Sequence, residues 1–206
     1  INWSTNPPAA DYVDPNAVYG VTFRAATVAS SGKIYVAGES YRPYEWITLE
    51  RSTEGTHWSL VDRYSGEPEW GSGTSAEAHA ADTDPKGNVY VVGQVYLNRT
   101  RECYWIVRKF TAASSTWTTV DVFAGSGAAS WPNAVACDPT RGVFVVGTDK
   151  LARNALDNDW RGVVRHSGDA GATWQTVDTV QLSVAQSATA HGVAADGRGN
   201  VYVVGN

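Results

Sequence analysis

The side chains that could carry chemistry fall into a small number of groups. Segments rich in arginine and aromatic residues come first. Glu39 to Glu45 holds Tyr41, Arg42 and Tyr44; Gln94 to Cys103 holds Tyr96, Arg99 and Arg101; Thr148 to Asp159 holds Lys150 and Arg153. Glu67 to Trp70 and Ser130 to Pro132 add Trp70 and Trp131. Such mixtures suit contact hot spots and the stacking of sugar rings. Next is a column in which His79, Asn133 and His191 stand at the same spacing before Asp84, Asp138 and Asp196, with Ala25 in that column further upstream. These histidines are too dispersed for a zinc motif. They could line a channel and bind a ligand or cation; the simpler reading is hydrogen bonding between neighbouring structural units. Glu39, Glu45, Glu67 and Glu69 are carboxylates of the kind glycoside hydrolysis needs, but spacing alone does not pair them.

Other chemistry is not signalled. The sequence has no HExxH, GxSxG, Walker or dinucleotide-binding pattern, and neither a metal nor a cofactor is expected. Cys103 and Cys137 are too few for a disulfide framework and read as independent buried thiols, with one disulfide as the alternative. Asn2-Trp3-Ser4 and Asn98-Arg99-Thr100 match the glycosylation sequon, which matters only in a eukaryotic secretory setting.

The elements that position these residues are repeated. Gly38, Gly93, Gly147 and Gly205 each close a β-branched and aromatic run such as Gly87-Asn-Val-Tyr-Val-Val-Gly93, about 56 residues apart. Two further columns keep the same order: Trp46, Trp105 and Trp160, then Trp58, Trp117 and Trp174, the latter followed by Asp62, Asp121 and Asp178. Each unit reads as four strands, illustrated by 78–83, 88–96, 104–111 and 116–123. The first strand is rich in small residues (Ala80, Ala81; Ala134, Ala136; Ala194, Ala195) and suits a crowded position near an axis. The second is continuously apolar, as in strands covered on both faces. A helical period is absent except for one turn near Leu151 to Leu156. Four-stranded units of this length predict an all-β fold, a β-propeller of about 3.5 antiparallel blades. Residues 17–206 divide into blades 17–64, 76–123 and 132–180 and a partial blade 189–206, preceded by an extension, 1–16, that could add a closing strand.

Composition narrows the partners. The 206 residues are 43% hydrophobic and 18% charged, which excludes a disordered chain. A net charge of −5 without a basic stripe argues against nucleic acid, and no apolar run is long enough to span a membrane as a helix.

The segment Ala190-His-Gly-Val-Ala-Ala-Asp-Gly-Arg-Gly-Asn-Val-Tyr-Val-Val-Gly205 resembles the repeat of bacterial seven-bladed β-propellers. Ser167-Gly-Asp169-Ala-Gly171-Ala-Thr-Trp174 is similar to the Asp-box of sialidase-like propellers. The second likeness implies that Ser167, Asp169, Gly171 and Trp174 are structural: the carboxylate accepts backbone N–H bonds, the glycine relaxes the turn and the tryptophan packs between sheets. Residues present in every unit solve a problem each blade shares, so functional residues should break the symmetry. Sialidase-like chemistry would need an arginine trio and a Tyr–Glu pair, and the usual Arg-Ile-Pro opening is absent; Tyr41-Arg42-Pro43 is no substitute. The expectation is therefore a non-catalytic scaffold, secreted, periplasmic or on the cell surface, that binds a protein or glycan through Tyr41, Arg42, Tyr44, Trp70, His79, Tyr96, Arg99, Trp131, Arg153 and His191. The alternative is a sialidase-like or other glycoside hydrolase, or a fragment of one. Three and a half blades cannot close a ring. The remaining blades could come from a longer chain or from a second copy in a homodimer; Ile at position 1 and the lack of Met fit a trimmed chain.

Overall fold

Each repeat folds into an antiparallel meander. The computed structural model describes residues 20–206 apart from 43, 53, 55, 56, 127, 128, 152–159 and 182–186. The extension 1–16, with its expected closing strand, and Arg153 therefore lie outside the described residues. The first sheet holds β1 (Val21–Val28), β2 (Ile34–Ser40), β3 (Glu45–Arg51) and β4 (Ser59–Tyr64). The second holds β5 (Thr74–Thr83), β6 (Val89–Leu97), β7 (Glu102–Thr111) and β8 (Thr116–Phe123). In the third are β9 (Ala129–Asp138), β10 (Gly142–Lys150), β11 (Trp160–Ser167) and β12 (Gln175–Val180), and β13 (Ala190–Ala195) pairs with β14 (Val201–Gly205) alone. One helical turn, α1 (Glu67–Trp70), links the first two sheets. Pro68 near its start suits a first helical turn; the turn expected near Leu151 to Leu156 lies, beyond Leu151 itself, outside the described residues. Strands β1, β5, β9 and β13 stand side by side. This is a partial β-propeller, with the small-residue strands innermost.

Apolar layers between consecutive blades hold the stack together. Tyr35, Ala37 and Trp46 meet Ala76, Val91 and Ile106 in one layer, and Tyr90, Val92 and Trp105 meet Val135, Val145 and Val163 in the next. Val89 to Val92 are all fully buried, as a strand covered on both faces requires.

The repeated glycines have a shared cause. On every innermost strand one extra residue is inserted opposite the glycine, which presses a backbone carbonyl into the space a Cβ would take. A Cβ at Gly93 would lie 2.0 Å from Glu77 O and 2.7 Å from the Trp46 ring. One at Gly147 would meet Trp131 O at 2.2 Å and the Trp105 ring at 2.8 Å. So Trp46 and Trp105 of the third strands pack on the glycines of the following blades. The third blade departs from this column. By register Gly162, not Trp160, stands opposite the residue after the glycine, and Trp160 is displaced two residues to pack on Trp131 instead, ring centroids 4.7 Å apart. Gly93→Ala is expected to lower stability by about 1–3 kcal/mol, read as a fall in Tm, because its nearest obstacle is backbone and cannot swing aside.

Adjacent blades are also clamped electrostatically. Arg108 of β7 donates from Nε and Nη2 to the two carboxylate oxygens of Asp62 on β4, at 3.0 and 2.5 Å. Arg165 of β11 grips Asp121 of β8 in the same way, at 2.6 and 2.7 Å. Each guanidinium also bonds a threonine of its own blade, Thr119 or Thr176, and lies over an aromatic ring of the preceding blade, Tyr64 or Phe123. In the first blade Leu49 and Leu60 occupy the arginine and threonine positions.

Candidate functional site

The inserted residues on the innermost strands are Arg24, His79, Asn133 and His191. Arg24, rather than Ala25, thus holds the first-blade position, since Ala25 pairs back in register with Ala37. A bulge re-aims its side chain, and here the result is reach toward the next blade. His79 Nδ1 lies 2.7 Å from Pro132 O, and Asn133 Nδ2 donates to Ala190 O at 2.8 Å. Arg24 reaches Glu77 of the second blade.

One rung from the bulge, the cross-strand pairs are Thr22 with Glu39, Glu77 with Gln94 and Trp131 with Thr148. Two of these pairs bring carboxylates together. Arg24 Nη2 donates to Glu39 Oε1 at 2.5 Å and to Glu77 Oε2 at 3.4 Å. Because both oxygens share one nitrogen, they can be no further apart than those two contacts allow. The Tyr41 hydroxyl donates to Glu39 Oε1 at 3.0 Å, and Gln94 Nε2 donates to Glu77 Oε1. His79 Nε2 stands 3.3 Å from Glu77 Oε1 while Nδ1 lies 2.7 Å from the Pro132 carbonyl, so each ring nitrogen faces an acceptor. Glu77 is held down to about 2, first by the hydrogen bond from His79, against desolvation, with the charge of His79, a bond to Glu39 and the charge of Arg24 helping.

Two adjoining cavities open over this cluster. A cavity of about 240 Å³ is lined by Glu39, Tyr44, Glu77, Gln94 and Tyr96. Its neighbour, about 350 Å³, shares Gln94 and Tyr96 and adds His79, Arg101, Trp131 and Asn133. Together they form a cleft with carboxylates on the first two blades and aromatic faces along its walls. Among the described residues no group of three or more His, Cys, Asp or Glu side chains could hold a metal ion, and no helix is long and apolar enough to cross a membrane.

The expected site residues divide accordingly. Tyr41, Tyr44, His79, Tyr96 and Trp131 come together at the cleft. Arg42 sits exposed on the β2–β3 turn with positive φ, and Arg99 is exposed on the β6–β7 turn, where Arg101 instead reaches the cavity. Trp70 stacks on Tyr104 at 5.3 Å and packs against the first core layer, so it is a structural residue outside the cleft. His191 meets Asn206 Oδ1 at 3.0 Å on the last hairpin, also outside both cavities. Of the sequence carboxylates Glu39 lines the cleft, and Glu45 is paired with Arg63. Arg24, Glu77 and Gln94 were not singled out, and the signal that could have found them is the bulge itself, one residue more on the first strand than its partner needs.

The turn 167–174 lies at the other end of the strands and is internally satisfied. Asp169 accepts from Ser167 Oγ, Thr173 N and Thr173 Oγ1 at 2.6 to 2.8 Å, and Gly171, at φ +92°, donates to Ser167 Oγ. Those bonds hold the Asp169 carboxyl at about 2, with Thr173 the chief donor. Trp174 packs against the second core layer. Cys103 and Cys137 are both free thiols. Burial pushes Cys103 up to about 12, and Cys137 is raised by the same cause. Neither is expected to react with an aromatic disulfide reagent in the native protein at neutral pH, and both should titrate after denaturation.

No family model matches the sequence, and no curated protein matches it. Solved structures do share its fold. A GH93 α-L-arabinofuranosidase of Fusarium graminearum, bound to an iminosugar inhibitor, aligns at TM-score 0.61 and 15% identity over 90% of this chain and 54% of its own. The complex of the Fusarium graminearum enzyme with arabinobiose aligns at 0.59 and 14%, with the same coverage. An α-L-arabinanase of Penicillium chrysogenum, also with arabinobiose, aligns at 0.60 and 13% over 90% of this chain and 55% of its own. The chain spans just over half the length of these structures. The expectation of a non-catalytic scaffold is corrected by this comparison: the solved propellers that share its fold are glycoside hydrolases.

Proposed function

We propose that this chain forms part of a glycoside hydrolase propeller acting on arabinose-containing glycans. The observation that carries the reading is the convergence of Glu39 and Glu77 on one guanidinium nitrogen at the base of an aromatic-walled cleft. Retaining glycosidases place their two carboxyl groups about 5–5.5 Å apart, whereas inverting ones need about 6.5–9.5 Å to seat a water. The shared nitrogen supports the closer, retaining arrangement. Glu77, ionised throughout the working range, serves as the nucleophile that attacks the anomeric carbon. Glu39 protonates the departing glycosidic oxygen and then removes a proton from the water that releases the sugar. Arg24 keeps the two carboxylates at a fixed separation, and Tyr44, Tyr96 and Trp131 offer faces on which sugar rings stack. The polymeric substrate fits a secreted, periplasmic or cell-surface protein, and further blades would supply the rest of the cleft.

The test uses the 206-residue chain with 4-nitrophenyl α-L-arabinofuranoside for turnover and arabinobiose for binding, followed by tryptophan fluorescence. Release of nitrophenol and saturable binding are expected. Neither turnover nor binding would overturn the reading.

A further inference from the structure

The two cavities of the cleft differ in charge. Glu39 and Glu77 line the first, whereas no carboxylate is among the residues that line the second. Its permanently charged side chain is Arg101, which makes no side-chain hydrogen bond or ion pair among the described residues. The neighbouring carboxylates are engaged elsewhere. Glu102 accepts from Thr100 Oγ1 at 2.7 Å and from the Tyr104 hydroxyl at 3.3 Å, and Glu77 is met by Arg24, Gln94 and His79.

The backbone places this arginine under strain. Arg101 closes the β6–β7 turn at φ +60°, its N–H donating to Leu97 O at 2.7 Å. A glycine takes that conformation freely and a long side chain does not, and strain of this kind gathers at ligand sites. The aromatic wall of the cavity is fixed as well. Trp131 packs on Trp160, and Ser130 beside it donates to the fully buried Asp149 at 3.0 Å. Asp149 also accepts from Ser126 N at 3.2 Å and from Arg161 Nε and Nη2 at 3.0 and 2.8 Å. Two residues after the closing glycine, where the third blade has Asp149, the first two have Ser40 and Val95, so this anchor breaks the repeat. Both blades that wall the cavity are complete four-stranded sheets.

We infer that the second cavity binds a uronic acid residue of the glycan, its ring on Trp131 and its carboxylate in a two-pronged contact with Arg101. At about 350 Å³ the cavity is at the small end of ligand pockets and suits a single sugar. Gln94 lines both cavities and bonds Glu77, so the uronic acid sits directly beside the arabinose. The inference rests on the reading of the cleft as a glycan site and names its substrate more closely: an acidic polysaccharide that carries arabinose. The neutral sugar goes to the carboxylates and the anionic one to the arginine. A net charge of −5 opposes anions in general, so any preference for an acid arises locally.

The probe is the aldobiouronic acid of glucuronic acid and xylose, compared by calorimetric titration of the 206-residue chain with its methyl ester, which keeps the shape and loses the charge. The acid should bind at least about tenfold more tightly than the ester. Arg101→Gln should abolish that preference, and Arg101→Gly, which suits the turn, should abolish it without lowering Tm. Trp131→Ala should weaken acid and ester alike, at least about threefold. Equal binding of acid and ester, a preference that survives Arg101→Gln, or no binding of either by a chain that binds arabinobiose would overturn the inference and leave the hydrolase reading standing. An Arg101-dependent preference without arabinofuranoside turnover would do the reverse, keeping the subsite and removing the hydrolase.

Discussion

Replacing Arg108 by alanine is expected to cost about 3–5 kcal/mol of stability, the loss typical of a buried ion pair from which one partner is removed. Asp62 and Arg108 are both buried between blades, and the guanidinium meets the carboxylate through two parallel bonds while resting on the Tyr64 ring 4.5 Å away. Burial raises the Asp62 carboxyl even with Arg108 pulling it down. Without the arginine, burial acts unopposed. For a chain of this size the loss corresponds to a fall in Tm on the order of 10 °C. Its pH dependence identifies the cause. A carboxyl whose folded value exceeds its unfolded one favours folding at low pH and loses that contribution as pH rises through the folded value. The Arg108→Ala deficit should therefore be largest at neutral pH and shrink as pH falls toward about 4. Combining Arg108→Leu with Asp62→Leu should restore most of the stability, because apolar residues in place of both members of a buried ion pair leave no unpaired charge, and the first blade already carries Leu49 at the arginine position. A deficit independent of pH and undiminished in the double variant would assign the cost to lost packing. Chemical denaturation at several pH values measures all of this.

The strand pattern was legible because each blade repeats the same solution. Val89 to Val92 are apolar on both faces since a blade lies on either side, and the glycines recur since every inner strand bulges against them. The exceptions were not legible for the same reason. Matching tryptophans by motif placed Trp160 with Trp46 and Trp105, although hydrogen-bond register gives that position to Gly162. Counting back from the aspartate turn placed Ala25 with His79, whereas the inserted residue is Arg24. One residue of bulge changes which side chain leaves the sheet. Glu39 and Glu77 are far apart in sequence and on different strands of different blades, so no spacing rule joins them. They meet because β2 and β5 belong to adjacent blades and Arg24 crosses the gap. Of the residues chosen for breaking the symmetry, Tyr44, Tyr96 and Trp131 line the two cavities and Tyr41 donates to Glu39 beside them, while Trp70 stacks on Tyr104 at the first core layer.

Glu77→Gln should reduce arabinofuranoside turnover at least about a thousandfold, with little change in arabinobiose binding. Glutamine keeps the size of the side chain, and its amide oxygen can still accept from Gln94 Nε2, so the loss would report the charge rather than the fold. If Glu77 is the nucleophile, Glu77→Ala supplied with azide should recover turnover as the glycosyl azide, a product that a merely structural carboxylate would not give. The pH profile separates its neighbour's role. With Glu77 held at about 2, the acid limb of kcat/KM that reports its protonation should lie well below the ordinary glutamate range. A carboxylate with a depressed folded value is lost as pH falls through that value, and His79 is the chief cause of the depression. His79→Gln should therefore move that limb upward toward about 4.3 while leaving the neutral-pH rate comparatively intact. This shift would mark His79 as a positioning residue acting through Glu77. Full turnover by Glu77→Gln would instead remove Glu77 from the reaction and leave the cleft without its proposed nucleophile.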